Sequence, residues 1–205
     1  MKGFILALRK ARNEDSIVTL LTRNERRVYY RFFGARHSIL QFGHLIDFEV
    51  EGEDSSFLPR LRGLSHIGFP WLFEPNRLLL WHNFIALFEP HLKEASTIDS
   101  FYYTLLLEAA QKWDKQNPKR LICESYLKLL SHEGRLHQVD SCYICETPIH
   151  KEVALMQAFI PAHPACLYAT ALPTSKIVVF FETQSTAHLE DYEVEYLFTL
   201  VMRGF

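Results

Sequence analysis

Glycine is scarce in this chain, eight among 205 residues, and none sits in a phosphate-cradling loop ending in Lys-Ser/Thr or in a dinucleotide fingerprint. Nucleotide-driven chemistry therefore has no anchor here. No two histidines flank a glutamate at helical spacing, so a zinc peptidase is unsupported. No His-x-Glu precedes a Pro-Cys-x-x-Cys either, which removes the zinc deaminases. Acidic residues are plentiful, but no pair is singled out for acid–base work, and an enzyme is not expected. A run of apolar residues long enough to span a bilayer is also missing. The opening Gly3-Phe4-Ile5-Leu6-Ala7-Leu8 is short, is closed by Arg9-Lys10 and lacks a small-residue cleavage site. Neither signal peptide nor membrane contact is expected. The expected location is cytoplasmic, where thiols stay reduced and paired cysteines hold metal more often than they bond each other.

What the chain does have is apolar mass and a lopsided charge. Hydrophobic residues make up 48% and aromatics 14%, enough for a filled core and against disorder. The net charge of −2 says little by itself. The first 40 residues, however, carry nine Lys or Arg against the three acids Glu14, Asp15 and Glu25, and the remainder holds 13 bases against 21 acids. A basic head on an acidic body suggests an anionic partner for the head, nucleic acid above all; the plainer alternative is a strand-rich domain with solvated charged faces.

Hydrophobic periodicity divides the chain near residue 73. Before it, the period is two: Phe4, Leu6 and Leu8 on one side of an extended run, then Ile17–Leu21 after the turn-like Asn13-Glu14-Asp15, then Arg27–Phe32 up to Gly34. Ile46, Phe48 and Val50 alternate with acids, and a last strand is expected from Phe57 to Leu64. About five short strands joined by polar turns suit a small barrel of OB type, although strand counting alone fits an SH3-like barrel equally. After Pro70 and Pro75 the period becomes helical. A helix over 76–94 would bury Leu80, Phe84, Leu87 and Phe88. A second, after Ser96-Thr97 with Asp99 at its cap, would bury Phe101, Leu105, Ala109 and Trp113. A third starts at Asn117-Pro118, ends before Gly134, and carries a stripe of Leu121, Glu124, Tyr126, Leu127 and Leu130. A strand at Ile177–Phe181 and a terminal helix from about Asp191 complete the α+β reading: an OB-type barrel over 1–73, then a helical domain over 74–205 with an inserted zinc-binding element at about 140–168.

Two features carry chemistry. Cys142-Tyr-Ile-Cys145 and His163-Pro-Ala-Cys166 are two ligand pairs, each spaced by two residues, as a tetrahedral zinc site requires. Three thiolates and one imidazole leave no position for an activated water, which points to structural Zn2+ and away from catalysis. A redox pair or buried apolar thiols are the competing readings, and His150, or more remotely His137, could replace His163. Cys123, within the third helical stripe, reads as core. The second feature is Arg27, Tyr29 and Arg31, which share one face of a strand while Val28, Tyr30 and Phe32 would fill the barrel. Guanidinium alternating with phenol suits single-stranded nucleic acid, with charge on the phosphates and rings on the bases. Lys10, Arg12, Arg23, Arg26 and Arg36 would extend that track.

These residues resemble the RecO family of bacterial recombination mediators. The likeness lies in Lys2-Gly3-Phe4-Ile5-Leu6 with Glu14-Asp15-Ser16, Thr22 and Gly34-Ala35-Arg36; in Lys119-Arg120-Leu121 to Leu130 with Gly134; and in the two ligand pairs with Phe159 between them. Arg26 stands where the family usually has glycine, and His163 where it more often has a third cysteine. The resemblance implies an OB barrel followed by a helical domain bearing the zinc element. It also implies a nucleoid-associated role in DNA repair: binding single- and double-stranded DNA, annealing complementary strands, and helping RecA, together with RecR, to displace single-strand binding protein. By position, Arg9, Arg12, Arg27, Arg31 and Arg36 would face DNA, and Lys119 and Arg120 would receive the acidic tail of single-strand binding protein. The alternative is a zinc-stapled adaptor that binds proteins only.

Overall fold

Five strands close on themselves: β1 (Lys2–Lys10), β2 (Ser16–Thr22), β3 (Arg26–Arg31), β4 (Leu45–Glu51) and β5 (Arg60–Ile67). Their order is β1-β2-β3-β5-β4, with β4 pairing back onto β1. Neighbours are antiparallel except β3 and β5, joined in parallel at Tyr30 and Arg60. That topology is the OB-type barrel, which decides the choice the strand count left open. This computed structural model describes residues 1–36, 38–52, 57–93, 95 and 97–205. The chain forms two compact units, Met1–Asp114 and Lys115–Phe205. The expected change from strand to helix near residue 73 thus falls inside the first unit.

The barrel interior is built from Ile5, Val18, Leu20, Tyr29, Leu40, Ile46, Phe48 and Leu61, all nearly inaccessible. In β1 the simple alternation fails. Ile5 pairs with Leu20 and Ala7 with Thr19, so Leu6 is the extra residue of a β-bulge and the inward parity changes after it. Phe4 faces outward, yet it is buried, because helices cover that side: its ring lies 5.9 Å from Trp81 and 5.7 Å from Tyr103.

That covering layer comprises α1 (Pro75–Ala86), α2 (Phe88–Lys93) and α3 (Ser100–Lys112). A single helix over 76–94 was expected. Pro90 explains the break, because it cannot donate to the carbonyl of Ala86 and its ring crowds that carbonyl. Ser96 and Glu94 lie outside the described residues. Asp99 caps α3 by accepting from the Phe101 N–H at 2.8 Å. All three tryptophans meet here, Trp81 lying 5.1 Å from Trp71 and 5.0 Å from Trp113 between ring centroids. Each indole N–H donates to a carbonyl: Trp71 to Ala110, Trp81 to Gly43 and Trp113 to Arg77. Gly43 is in the left-handed region (φ 79°), and a Cβ there would sit 3.1 Å from Trp81 Nε1. Glycine fits both demands.

The second unit opens with α4 (Pro118–His132). The Asn117 side chain accepts from the Lys119 N–H at 3.0 Å, and Gly134 (φ 67°) follows the C-terminus, as the sequence signals require. Three short strands, β6 (Glu152–Leu155), β7 (Pro161–Ala162) and β8 (Leu172–Pro173), form a sheet in the order β7-β6-β8, with the four-residue helix α5 (Pro164–Leu167) between β7 and β8. Then come α6 (Thr174–Thr183) and α7 (Asp191–Val201). The strand expected at 177–181 is helix instead. Ile-Val-Val-Phe-Phe suits either state locally, and tertiary packing decides: Ile177 and Phe180, three apart, are buried together, with Phe180 against Phe159 at 6.0 Å.

At its N-terminal end α7 is fixed by charge. Glu193, fully buried, accepts from Lys176 Nζ at 2.9 Å through both oxygens, and from the Glu190 N–H in a capping box. Burial works against this carboxylate, but the N–H of Glu190 and the Lys176 ammonium win and hold its pKa below the ordinary value.

Candidate nucleic-acid interface and metal site

Cross-strand pairing decides which barrel residues face outward. Arg9 pairs with Ile17, Ile17 with Tyr30, and Tyr30 with Arg60. Partners across a ladder share a face, so these four form one row over β1, β2, β3 and β5. Arg9 and Arg60 are exposed at its ends. Lys10 and Arg12 continue from β1 into the β1–β2 connection, both exposed. This is the face and loop set through which OB-type barrels bind oligonucleotides. Arg31 closes the same end, donating from Nη1 to the Leu61 carbonyl at 2.8 Å, and Arg36 pairs with Glu14.

The sequence placed Tyr29 on the binding face, and this is corrected. Tyr29 pairs with Val18 and Arg27 with Leu20, both inward residues, so Arg27, Tyr29 and Arg31 lie on the interior side. Tyr29 is fully buried; its hydroxyl reaches the barrel's end and donates to Glu25 at 3.1 Å. Both faces of β3 carry aromatics, so alternation alone could not say which one the core takes. The outward ring is Tyr30, and an exposed set beside it was missed: Phe32, Phe33 and Phe57. Arg60 lies over the Phe32 ring at 5.0 Å and Arg36 over Phe33 at 5.1 Å. The signal available was Phe32-Phe33 next to Gly34, two bulky aromatics in a turn.

The predicted cations therefore divide. Arg9, Lys10, Arg12, Arg31 and Arg36 gather at one end of the barrel. Arg23, Arg26 and Arg27 lie at the other, around the β2–β3 turn. There Arg26 is engaged by Glu89 from α2, with contacts of 2.9 and 2.5 Å, and Arg27 lies 3.9 Å from Glu25. The Arg26 that replaces a turn glycine is thus a tie between barrel and helix.

The four expected metal ligands do come together. The donor atoms of Cys142, Cys145, His163 and Cys166 all lie within 4.8 Å of one another, the one such group among the described residues. The first pair sits on a turn clamped by Cys142 N–H to Thr147 O at 2.9 Å and Glu146 N–H to Cys142 O at 2.8 Å. The second pair opens α5, where the Cys166 N–H donates to the His163 carbonyl at 3.0 Å. His163 Nδ1 is 3.3 Å from Cys145 Sγ, while Nε2 is 3.1 Å from the Pro148 carbonyl. A carbonyl only accepts, so the ring proton sits on Nε2 and the Nδ1 lone pair points into the cluster. Such outer contacts orient ligating histidines. The His163 N–H also donates to Cys142 Sγ at 3.3 Å. The hydroxyl and N–H of Thr147 hold the Cys145 thiol below its ordinary value, which favours the thiolate that a metal needs. His150 and His137, both exposed, are not in the group. Cys123 is core as expected: burial pushes its thiol up, and Sγ donates to the Val194 carbonyl at 3.8 Å.

Lys119 and Arg120 are neighbours on α4 but are already engaged. Lys119 pairs with Glu195, and Arg120 donates to the carbonyls of Thr186 at 2.5 Å and Leu189 at 2.9 Å and to Asp191 at 2.8 Å.

An OB-type barrel with a cationic outer row, followed by helices and a Cys3His set able to hold a metal ion, defines the class of protein. Residues 1–72, the barrel and about a third of the chain, match the family model described as RecO N terminal. The match ends where strands give way to helices. No curated protein matches the chain. Among the described residues no helix is long and apolar enough to cross a membrane.

Proposed function

We propose that the barrel binds DNA across the outward row of Arg9, Ile17, Tyr30 and Arg60, flanked by Lys10 and Arg12, and that the protein is a recombination mediator. Two strands held with their phosphates neutralised anneal without a nucleotide cofactor, since base pairing supplies the free energy. By the family likeness it acts with RecR to help RecA displace single-strand binding protein. An acidic tail docking at Lys119 and Arg120 has to displace Glu195 and Asp191. The exposed cationic row on the oligonucleotide-binding face of this fold is the observation that carries the reading.

The Cys3His set holds zinc with no open position, so the metal's contribution is to pin the two ligand turns together. His163 ligates through Nδ1 while Pro148 keeps its ring oriented.

The test is titration of a labelled oligonucleotide at several salt concentrations, alongside strand annealing. Each phosphate contact on duplex contributes about 0.9 to the slope of log K against log salt. Arg9→Ala/Arg12→Ala/Arg60→Ala should lower that slope by about 2 to 3 and slow annealing. Arg23→Ala, at the opposite end of the barrel, should leave it alone. Equal slopes in the triple variant and the unmodified protein would move the DNA site elsewhere.

A further inference from the structure

Beside the cationic row lies a cleft of about 290 Å³ lined by Tyr30, Phe32, Phe57, Leu58 and Arg60. Its size is at the lower edge of small-ligand pockets. Two of its rings are unusually open to water, Phe32 at 42% and Phe57 at 79% exposed. We propose that this cleft receives one unpaired nucleobase, so that the barrel distinguishes single strands from duplex. The inference rests on the DNA-binding reading above and adds to it the form of DNA selected.

Three observations support it. First, the walls are set in advance. Asp15, buried at the start of β2, accepts from the Tyr30 hydroxyl through Oδ2 and from the Phe33 N–H through Oδ1 at 2.7 Å. One carboxylate thereby fixes both the ring in the strand and the turn that carries Phe32. The Tyr30 and Phe32 rings meet edge to face at 5.2 Å. A preformed pocket loses little freedom when filled. Second, Arg60 combines two roles: its guanidinium lies over the Phe32 ring at 5.0 Å, and its backbone bridges to Tyr30 in the row that ends at Arg9. A base stacked on Phe32 would have its phosphates beside Arg60. Third, the end of the barrel that bears the cleft also bears Arg9, Lys10 and Arg12, none of them with an ion pair among the described residues. A polyanion with flat aromatic groups fits that rim better than an apolar peptide. Bases in duplex are already stacked on each other and cannot enter, whereas those of a single strand can.

The experiment compares single-stranded and duplex oligonucleotides of one length, at one salt concentration, on the full chain. Stacking on an aromatic side chain is worth about 1–3 kcal/mol per base, so Phe32→Ala/Phe57→Ala should weaken single-strand binding about 5- to 150-fold. Duplex affinity and the salt slope should not change. Phe32→Leu/Phe57→Leu keeps apolar bulk without a ring and should lose the same factor, which separates stacking from any loss of fold. Unchanged single-strand affinity in both variants, or an equal loss for both forms of DNA, overturns the inference while leaving the cationic row in place. If the unmodified protein binds neither form, the DNA-binding reading fails first.

Discussion

The barrel unit and the segment that bears the Cys3His set differ in how much regular structure they contain. In residues 1–114 an apolar interior and a cluster of three tryptophans, every indole N–H satisfied, leave the charged side chains free for the surface. In residues 140–168 regular structure is two- to four-residue strands and one turn of helix, and Tyr143, Ile144 and Tyr168 point outward. Val153, Leu155 and Phe159 are buried, Phe159 against Tyr126 and Phe180, and a metal held by the donor set would tie down the exposed turns that this packing leaves out. The comparison shows where function can be changed cheaply. The barrel tolerates changes at Arg9, Lys10, Arg12 and Arg60, which are exposed and outside its core.

The largest expected effect comes from removing the metal. Structural zinc contributes on the order of 10 kcal/mol of apparent folding free energy in small sites. Cys142→Ser, or a strong chelator, should therefore expose the chain around 140–168 to protease and abolish zinc content measured by atomic emission. All three tryptophans lie at positions 71, 81 and 113, within the first unit, so indole fluorescence reports on the barrel and its helices alone. Its emission maximum should not move. A tryptophan shift on chelation would mean that the two units do not rely on separate supports.

The converse change is Trp81→Ala. This side chain is fully buried, touches Phe4, Trp71 and Trp113, and anchors the Gly43 turn through its N–H. Truncating a buried aromatic costs about 3–5 kcal/mol. The denaturation midpoint followed by the remaining tryptophans should fall accordingly, while one zinc per chain is retained. Loss of both together would contradict the division.

Much of this was legible in the residues themselves, and the parts that were not share a cause. Asn117-Pro118 and Gly134 bound a helix through local chemistry, and the two ligand pairs are local too, so spacing sufficed. The face of β3 was misread because Tyr29 and Tyr30 are equally fit for a core and only pairing with Val18 on β2 selects one. Leu6 is invisible as a bulge for the same reason: alternation continues on either side of it. At 177–181 the run of β-branched and aromatic residues satisfies strand and helix alike, and the choice belongs to Phe159 and its surroundings. The break at Ala86 was readable, since Pro90 stands four residues on. Between His163 and His150 spacing could not choose, whereas the fold brings His163 and not His150 among the thiols.

The smallest effect concerns three histidines in the barrel unit. His44 is 8% exposed, its Nδ1 is buried without a hydrogen-bond partner among the described residues, and its ring lies 4.6 Å from that of His66. Burial, then the proximity of His66 and His82, lowers its pKa to about 4. The folded state thus keeps this imidazole neutral where an unfolded chain, with an ordinary value near 6.5, already takes a proton. Above about pH 6.5 the group contributes no pH dependence. As pH falls from there toward 4 the unfolded state gains its proton first, and stability drops by about 1.4 kcal/mol per unit to a limit of about 3 kcal/mol. His44→Phe removes the titrating group from the same space. Its denaturation midpoint, followed by tryptophan fluorescence, should therefore fall less steeply than that of the unmodified protein between pH 6.5 and 4.5, and zinc content, compared at pH 7, should be the same in both. Parallel slopes would show that His44 is protonated in the fold as readily as in the open chain, and that the barrel's support is less dry than its burial implies.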